Sequence, residues 1–166
     1  VLVCVITVPV VYHLQNTSVN QEDNTTIESD NNVQIANGIV TCDSVEKLSE
    51  KVGFPVYDLK KDILPFKVDT TEYYSYWEEL AEIEYIGSDG DYAVYRKEEG
   101  NEDPSGDYNE YSVKKVISLN DIQITLKGDK SYNLAIWTYE DYSYSLYLAD
   151  GISENEFRDI LNAVMN

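Results

Sequence analysis

The sequence has little positive charge, a single histidine and only two cysteines. Its 166 residues include 12 Lys and Arg against 31 Asp and Glu, which gives a net charge of −19. A chain this acidic repels phosphate backbones, so a nucleic-acid partner is excluded. His13 lies beside an apolar run rather than in the rest of the chain, which excludes Ser or Cys triad chemistry. Neither Cys4 nor Cys42 has a CxxC or zinc-ligand spacing, and we expect no metal site and no cofactor. Cys42 is expected to be a plain buried thiol.

Two motif classes are also missing: the sequence contains no phosphate-cradling glycine loop and no HExxH motif. Paired carboxylates of the glycosidase type stay open, because among so many Asp and Glu nothing distinguishes an acid from a base. The chain is therefore predicted to be a non-enzyme.

The clearest positive feature is the apolar run VLVCVITVPVVYHL at residues 1–14. Because no Lys or Arg occurs before Lys47, the positive-inside rule predicts that the chain after residue 14 lies outside the cytoplasm. The run is shorter than the roughly 20 residues of a spanning helix, and the chain begins with Val, so we expect an upstream portion. A membrane anchor is favoured, while a signal-peptide core and a buried strand remain open.

Residues 15–38 are rich in Asn, Thr, Ser and acidic residues and are predicted to be a flexible polar tether. The folded domain is expected over residues 39–166. A first helix is predicted after a capping box of Asp43 and Glu46 and ends at Gly53. A second helix closes the chain, with Ser153 and Glu156 as its capping box.

Between the helices the apolar period changes to two, which is typical of half-buried antiparallel strands. Strands are predicted at 66–74, 80–86, 92–97, 111–119, 122–127, 132–139 and 142–148; the first is the least certain, since 71–82 also fits a helix. The expected fold class is α+β, an antiparallel meander sheet of about 6–7 strands with an N-terminal and a C-terminal helix packed on one face.

Two segments are candidates for binding. The hairpin at 132–148 carries Trp137 among several tyrosines; a structural role is favoured over a sugar-stacking platform.

The loop EEGNEDPSGDY at 98–108 has many oxygens and no EF-hand spacing. A solvated loop is favoured, with cation binding and partner docking as alternatives. Arg96 or Lys97 is expected to pair with Asp103 or Asp107.

Eight short blocks carry a resemblance to a known family. They are NGIV at 37–40, VGFPV at 52–56, LAEIEY at 80–85, VYRK at 94–97, DPSGDYNEY at 103–111, ITLKG at 124–128, LAIW at 134–137 and YSYS at 142–145. Over residues 37–166 the chain resembles the bacterial domain of unknown function 4367 family. Two positions depart from the family pattern: Gly38 stands where Pro is usual, and Pro104 where Ile is usual.

The resemblance implies an extracytoplasmic domain behind a single membrane helix in a Gram-positive bacterium, in some members with an anti-sigma-factor-like cytoplasmic segment. We therefore expect a non-catalytic sensory or protein-interaction domain that meets an unknown protein or small ligand outside the cytoplasm. The alternative is an envelope-tethered domain that binds a small molecule, a carbohydrate or a cation. The candidate binding residues are Arg96, Asp103, Ser105, Asp107, Tyr108, Tyr111 and Trp137.

Overall fold

Eight strands and two helices account for most of residues 38–165, the part of the chain that the computed structural model describes. The elements are β1 (Ile39–Cys42), α1 (Val45–Val52), a 3₁₀ turn (Lys61–Ile63), β2 (Val68–Tyr76), β3 (Leu80–Gly87), β4 (Tyr92–Glu99), β5 (Val113–Leu119), β6 (Ile122–Gly128), β7 (Tyr132–Tyr139), β8 (Tyr142–Ile152) and α2 (Glu154–Met165). The predicted anchor at 1–14 and nearly all of the predicted tether lie outside the described residues. The α+β class is confirmed.

The strands form one antiparallel sheet in the order β1-β2-β3-β4-β8-β7-β6-β5. It consists of two four-stranded meanders that join where β4 pairs with β8. The short links between successive strands correctly indicated local pairing. A single continuous meander is wrong, however, because β4 lies beside β8 and β5 forms the far edge.

Both helices contribute to one hydrophobic core on one face of the sheet. Leu48 of α1 and Phe157 and Leu161 of α2 are fully buried in it, with Ile83 of β3 and Leu146 of β8. Alternation along each strand explains this, since every second side chain points to the core. We call this side of the sheet the helix face and the other side the strap face, for the loop described below.

The helix ends agree closely with their sequence signals. In α2, the Ser153 backbone N–H donates to Glu156 at 2.9 Å and the Glu156 N–H donates to Ser153 Oγ at 3.3 Å, so the predicted capping box is confirmed. In α1 the predicted cap is wrong by one residue. Ser44 is the N-cap and its side chain accepts from the Lys47 N–H, whereas Asp43 lies outside the helix. Gly53 ends α1 with φ of 80°, as predicted.

Three further expectations are corrected. The sheet has eight strands among the described residues rather than 6–7, because β1 forms a ladder with β2 ahead of the first helix. The helical alternative for residues 71–82 is wrong, since β2 and β3 occupy most of that segment. Cys42, expected to be buried, is a half-buried free thiol.

Within residues 38–165, no helix has the length and apolar character to cross a membrane.

Candidate functional site

A pocket of about 320 Å³ opens on the helix face of the sheet. Its floor comes from the two central strands and their neighbour: Tyr95 and Lys97 from β4, Tyr144 from β8 and Trp137 from β7. The remaining lining residues come from the segment after α1, the β5–β6 turn and β6, the end of β7 and the end of α2: Pro55, Tyr57, Asn120, Ile122, Tyr139, Val164 and Met165. This volume is at the lower end of the range for small-molecule sites.

Strand register brings the aromatic rings of the floor together. Tyr144 is the cross-strand partner of Lys97 on one side and of Trp137 on the other. The Trp137 and Tyr144 rings are stacked, with centroids 5.3 Å apart and planes 6° apart, and Tyr95 stacks on Tyr144 at 6.4 Å. Such pairs stabilise beyond their buried area, and they give the pocket flat, rigid walls.

Lys97 is the charged group of this pocket, and it is only 7% exposed. Its Nζ donates to the Pro55 carbonyl at 2.6 Å and lies 3.9 Å from the centroid of the Tyr142 ring. Phe54 and Tyr144 add more distant cation–π contacts. Burial lowers the pKa of Lys97. Within residues 38–165 Lys97 forms no ion pair. Its ammonium group is stabilised instead by cation–π contacts and by the hydrogen bond to the Pro55 carbonyl.

Tyr95 is the second buried polar group of the pocket, also 7% exposed. Burial raises the pKa of its phenol, and its hydroxyl has no hydrogen-bond partner in the described part of the chain. The same is true of the indole N–H of Trp137. Neither atom is among the buried side-chain polar atoms that have no partner, which are Thr71 Oγ1 and Ser75 Oγ in the described residues. Both donors are therefore open to solvent and available to a guest in the pocket.

The opposite face of the sheet carries a different arrangement. Residues 100–112, which we call the strap, connect β4 to β5 on the far edge. Arg96 of β4 donates through Nη1 to the carbonyls of Pro104 and Ser105, and Lys127 of β6 pairs with Asp103 at 3.1 Å. The strap is therefore fastened to two strands that are not adjacent in the sheet.

Beneath the strap lies a buried carboxylate. Glu82 is 1% exposed and accepts hydrogen bonds from Arg96 Nε and from the Tyr76 hydroxyl, the latter at 2.8 Å. Burial, together with this hydrogen bond, raises the pKa of Tyr76 to about 12. Since β2, β3 and β4 each supply one member, the group is a product of sheet register.

Most of the residues predicted as a site meet at the strap. Arg96 contacts the Ser105 carbonyl, and the Tyr111 hydroxyl donates to Asp107. Two predicted residues do not join this group: Tyr108 belongs to the strap but is 96% exposed, and Trp137 lies on the helix face. The seven residues therefore do not form one site.

The expected pairing of Arg96 or Lys97 with Asp103 or Asp107 is not what the structure shows. Arg96 binds Glu82 and strap carbonyls, and Lys97 points to the helix face. Asp103 instead accepts from Lys127 and from the Ser105 N–H at 3.0 Å, and Asp107 from the Asn109 N–H at 2.8 Å. Across residues 38–165, no three His, Cys, Asp or Glu side chains come together as metal ligands do.

Sequence reasoning found part of the pocket, since Trp137 and the tyrosine hairpin were named as an alternative binding face, but Lys97 and Tyr95 were not selected as binding residues. The signal was present: Ala93, Tyr95 and Lys97 occupy alternate positions of one strand, so Lys97 shares its face with two apolar neighbours. A lysine on the buried side of a strand is uncommon, and it marks a position that needs an explanation.

Comparison with known proteins agrees with the resemblance given by the sequence blocks. No match was found among curated proteins or among solved structures. One family model matches residues 64–164, which span β2 to all but the last residue of α2 and include most of the pocket residues. The chain thus belongs to the family described as Domain of unknown function (DUF4367).

Proposed function

We propose that this domain is a non-catalytic binding module and that its ligand is a small molecule held in the aromatic pocket. The observation that carries the proposal is a cavity of about 320 Å³ whose wall contains two buried polar side chains, Lys97 and Tyr95. Within the described residues Lys97 forms no ion pair, and the Tyr95 hydroxyl has no hydrogen-bond partner. Of the two alternatives left open by the sequence, small-molecule binding is the one with this support.

The composition of the pocket favours binding over catalysis. Its described lining residues include no His, Cys, Asp or Glu that could act as a general base inside the cavity. Glu140, whose charge acts on Lys97 and Tyr144, is outside this lining. The aromatic rings and Ile122 supply apolar contact, and a few polar groups supply orientation. A mostly apolar cavity with a small number of polar groups is typical of ligand sites.

A sensory role outside the cytoplasm is the second part of the proposal. It is supported by the apolar residues 1–14 and by the absence of Lys and Arg between them and Lys47. Protease added to intact cells should digest residues 15–166. Protection that persists until the cells are lysed contradicts the outside location and leaves the pocket unaffected.

Ligand binding can be tested with the protein's own fluorescence. The sequence has two tryptophans, and Trp77 is exposed, so the full chain carrying Trp77→Phe reports from Trp137 alone. Titration with phenylacetamide, phenylacetate and methyl glucoside should give a saturable change for at least one probe. The methyl glucoside arm tests the carbohydrate alternative.

A pocket-filling variant shows where the probe binds. Ile122→Phe adds a ring inside the cavity and should abolish the saturable signal, whereas Val116→Phe makes a similar change at an exposed position of β5 and should leave it intact. A signal that survives Ile122→Phe, or that Val116→Phe removes equally, contradicts the pocket as the binding site.

A further inference from the structure

The charge balance of the pocket indicates which ligands it selects. Lys97 is a buried cation in a chain of net charge −19, yet the described lining of the pocket contains no carboxylate. Glu140 acts on Lys97 only through space, because the two form no ion pair in the described part of the chain. A lysine ammonium has three N–H donors, and the Pro55 carbonyl accepts one hydrogen bond. We propose, on the basis of the function proposed above, that the pocket selects small molecules in which a carboxylate is joined to a flat apolar body, with Lys97 binding the carboxylate.

The energetic reason is desolvation. A buried charge that forms no ion pair is unfavourable, and Lys97 is already desolvated in the folded protein before a ligand arrives. A carboxylate that enters the pocket gains a charge-assisted hydrogen bond to a group that the fold holds in position. The unpartnered hydroxyl of Tyr95 is a further donor on the same wall.

The walls exclude the opposite charge and favour a flat body. Phe54, Tyr142 and Tyr144 already surround the Lys97 ammonium, so their π faces are not free to bind a second cation, which Lys97 would also repel. Trp137 presents a rigid ring, and Ile122 and Val164 extend the apolar surface beside it. Aromatic carboxylic acids match this combination, whereas amines do not.

Two probes of the same shape separate the carboxylate from the body of the ligand. Phenylacetate and phenylacetamide differ in charge, and both can be titrated into the full chain carrying Trp77→Phe. We expect phenylacetate to bind at least about tenfold more tightly, as a charge-assisted hydrogen bond implies. Lys97→Gln should remove the preference, so that phenylacetate binds no more tightly than phenylacetamide. Lys114→Met, which removes an exposed lysine of β5, is the matched control and should preserve the preference.

The outcomes distinguish this inference from the proposed function. If both probes bind equally and Ile122→Phe abolishes both signals, the pocket binds ligands and the inferred carboxylate preference is overturned. If only methyl glucoside gives a saturable signal, the proposed function stands and the inferred carboxylate preference is overturned. If none of the three probes gives a saturable signal, the proposed function fails and the inference fails with it. If Lys97→Gln does not fold, the comparison of phenylacetate with phenylacetamide on the chain that keeps Lys97 still tests the carboxylate preference.

Discussion

Arg96 and Glu82 form a charge-assisted pair across β3 and β4, in which Arg96 Nε donates to a carboxylate that is almost completely buried. The same guanidinium donates through Nη1 to two carbonyls of the strap. One side chain therefore neutralises a buried charge and fastens the connection between the two meanders. This arginine holds the loop at residues 98–108, for which the sequence favours a solvated surface and leaves cation binding open.

Removal of the arginine should be costly. Arg96→Met leaves the Glu82 carboxylate buried without its cation, and breaking a buried pair in this way costs about 3–5 kcal/mol. Urea unfolding measures the loss. Lys67→Met is the control, because its partner Asp69 is at the surface and an exposed pair contributes about 1 kcal/mol or less. Equal effects from the two variants would contradict the buried pair.

The strap should tolerate little added volume where it crosses Arg96. Gly106 has φ of +60°, and a methyl group added there overlaps Arg96 Nη1. Gly53 also has positive φ, but a methyl group at that position meets nothing within 4 Å. Gly53→Ala therefore measures the backbone cost alone, about 1 kcal/mol. We expect Gly106→Ala to lower the free energy of unfolding by more than Gly53→Ala; a smaller loss would mean that the strap is free to move away.

The docking of α2 can be tested at its most buried leucine. Leu161→Ala removes a fully buried side chain from the core and should cost about 2–5 kcal/mol. Val116→Ala, a truncation at a largely exposed position of β5, should have little effect. Denaturant midpoints that are indistinguishable between these two variants would show that the helix does not pack on the sheet.

Stability should depend on pH through Lys97. Burial lowers the pKa of Lys97, with the charge of Glu140 acting in the opposite direction. Between this lowered pKa and the ordinary value of 10.5, the unfolded chain holds a proton that the folded chain has released. The contribution of this group to the stability of the folded state therefore increases as the pH rises through that window.

The measurement compares the native chain with Lys97→Met. Their difference in free energy of unfolding should shift in favour of the native chain as the pH is raised from neutrality toward about 10. The tyrosines with raised pKa values are common to both proteins and largely cancel. A difference that stays constant across this range would show that the pKa of Lys97 is not lowered by burial.

Local sequence signals predicted the helices and strands well, because capping residues and alternation act over a few positions. The capping box of Ser153 and Glu156 located the start of α2, and the period of two located seven strands to within a few residues. β1 was missed because four residues with mostly exposed side chains show no clear alternation of apolar and polar types.

Strand order and the site needed information that a sequence pattern does not contain. The pairing of β4 with β8 joins segments about fifty residues apart, and no turn between them fixes the register. This register also decides which side chains share a face. Trp137 and Arg96, both predicted as site residues, occupy opposite faces of the sheet. Only the pairing of Lys97 with Tyr144, and of Tyr144 with Trp137, brings the pocket together.

The position of β8 also has a consequence for synthesis of the chain. During translation the first four strands leave the ribosome early, but β4 has no partner on its inner side until β8 follows. The second meander is likewise incomplete without its last strand, and α2 emerges later still. A nascent chain that has reached β7 thus carries an unpaired strand in what becomes the middle of the sheet, and open edges of this kind invite association with other chains. Synthesis of β8, which pairs with both β4 and β7, ends this exposure.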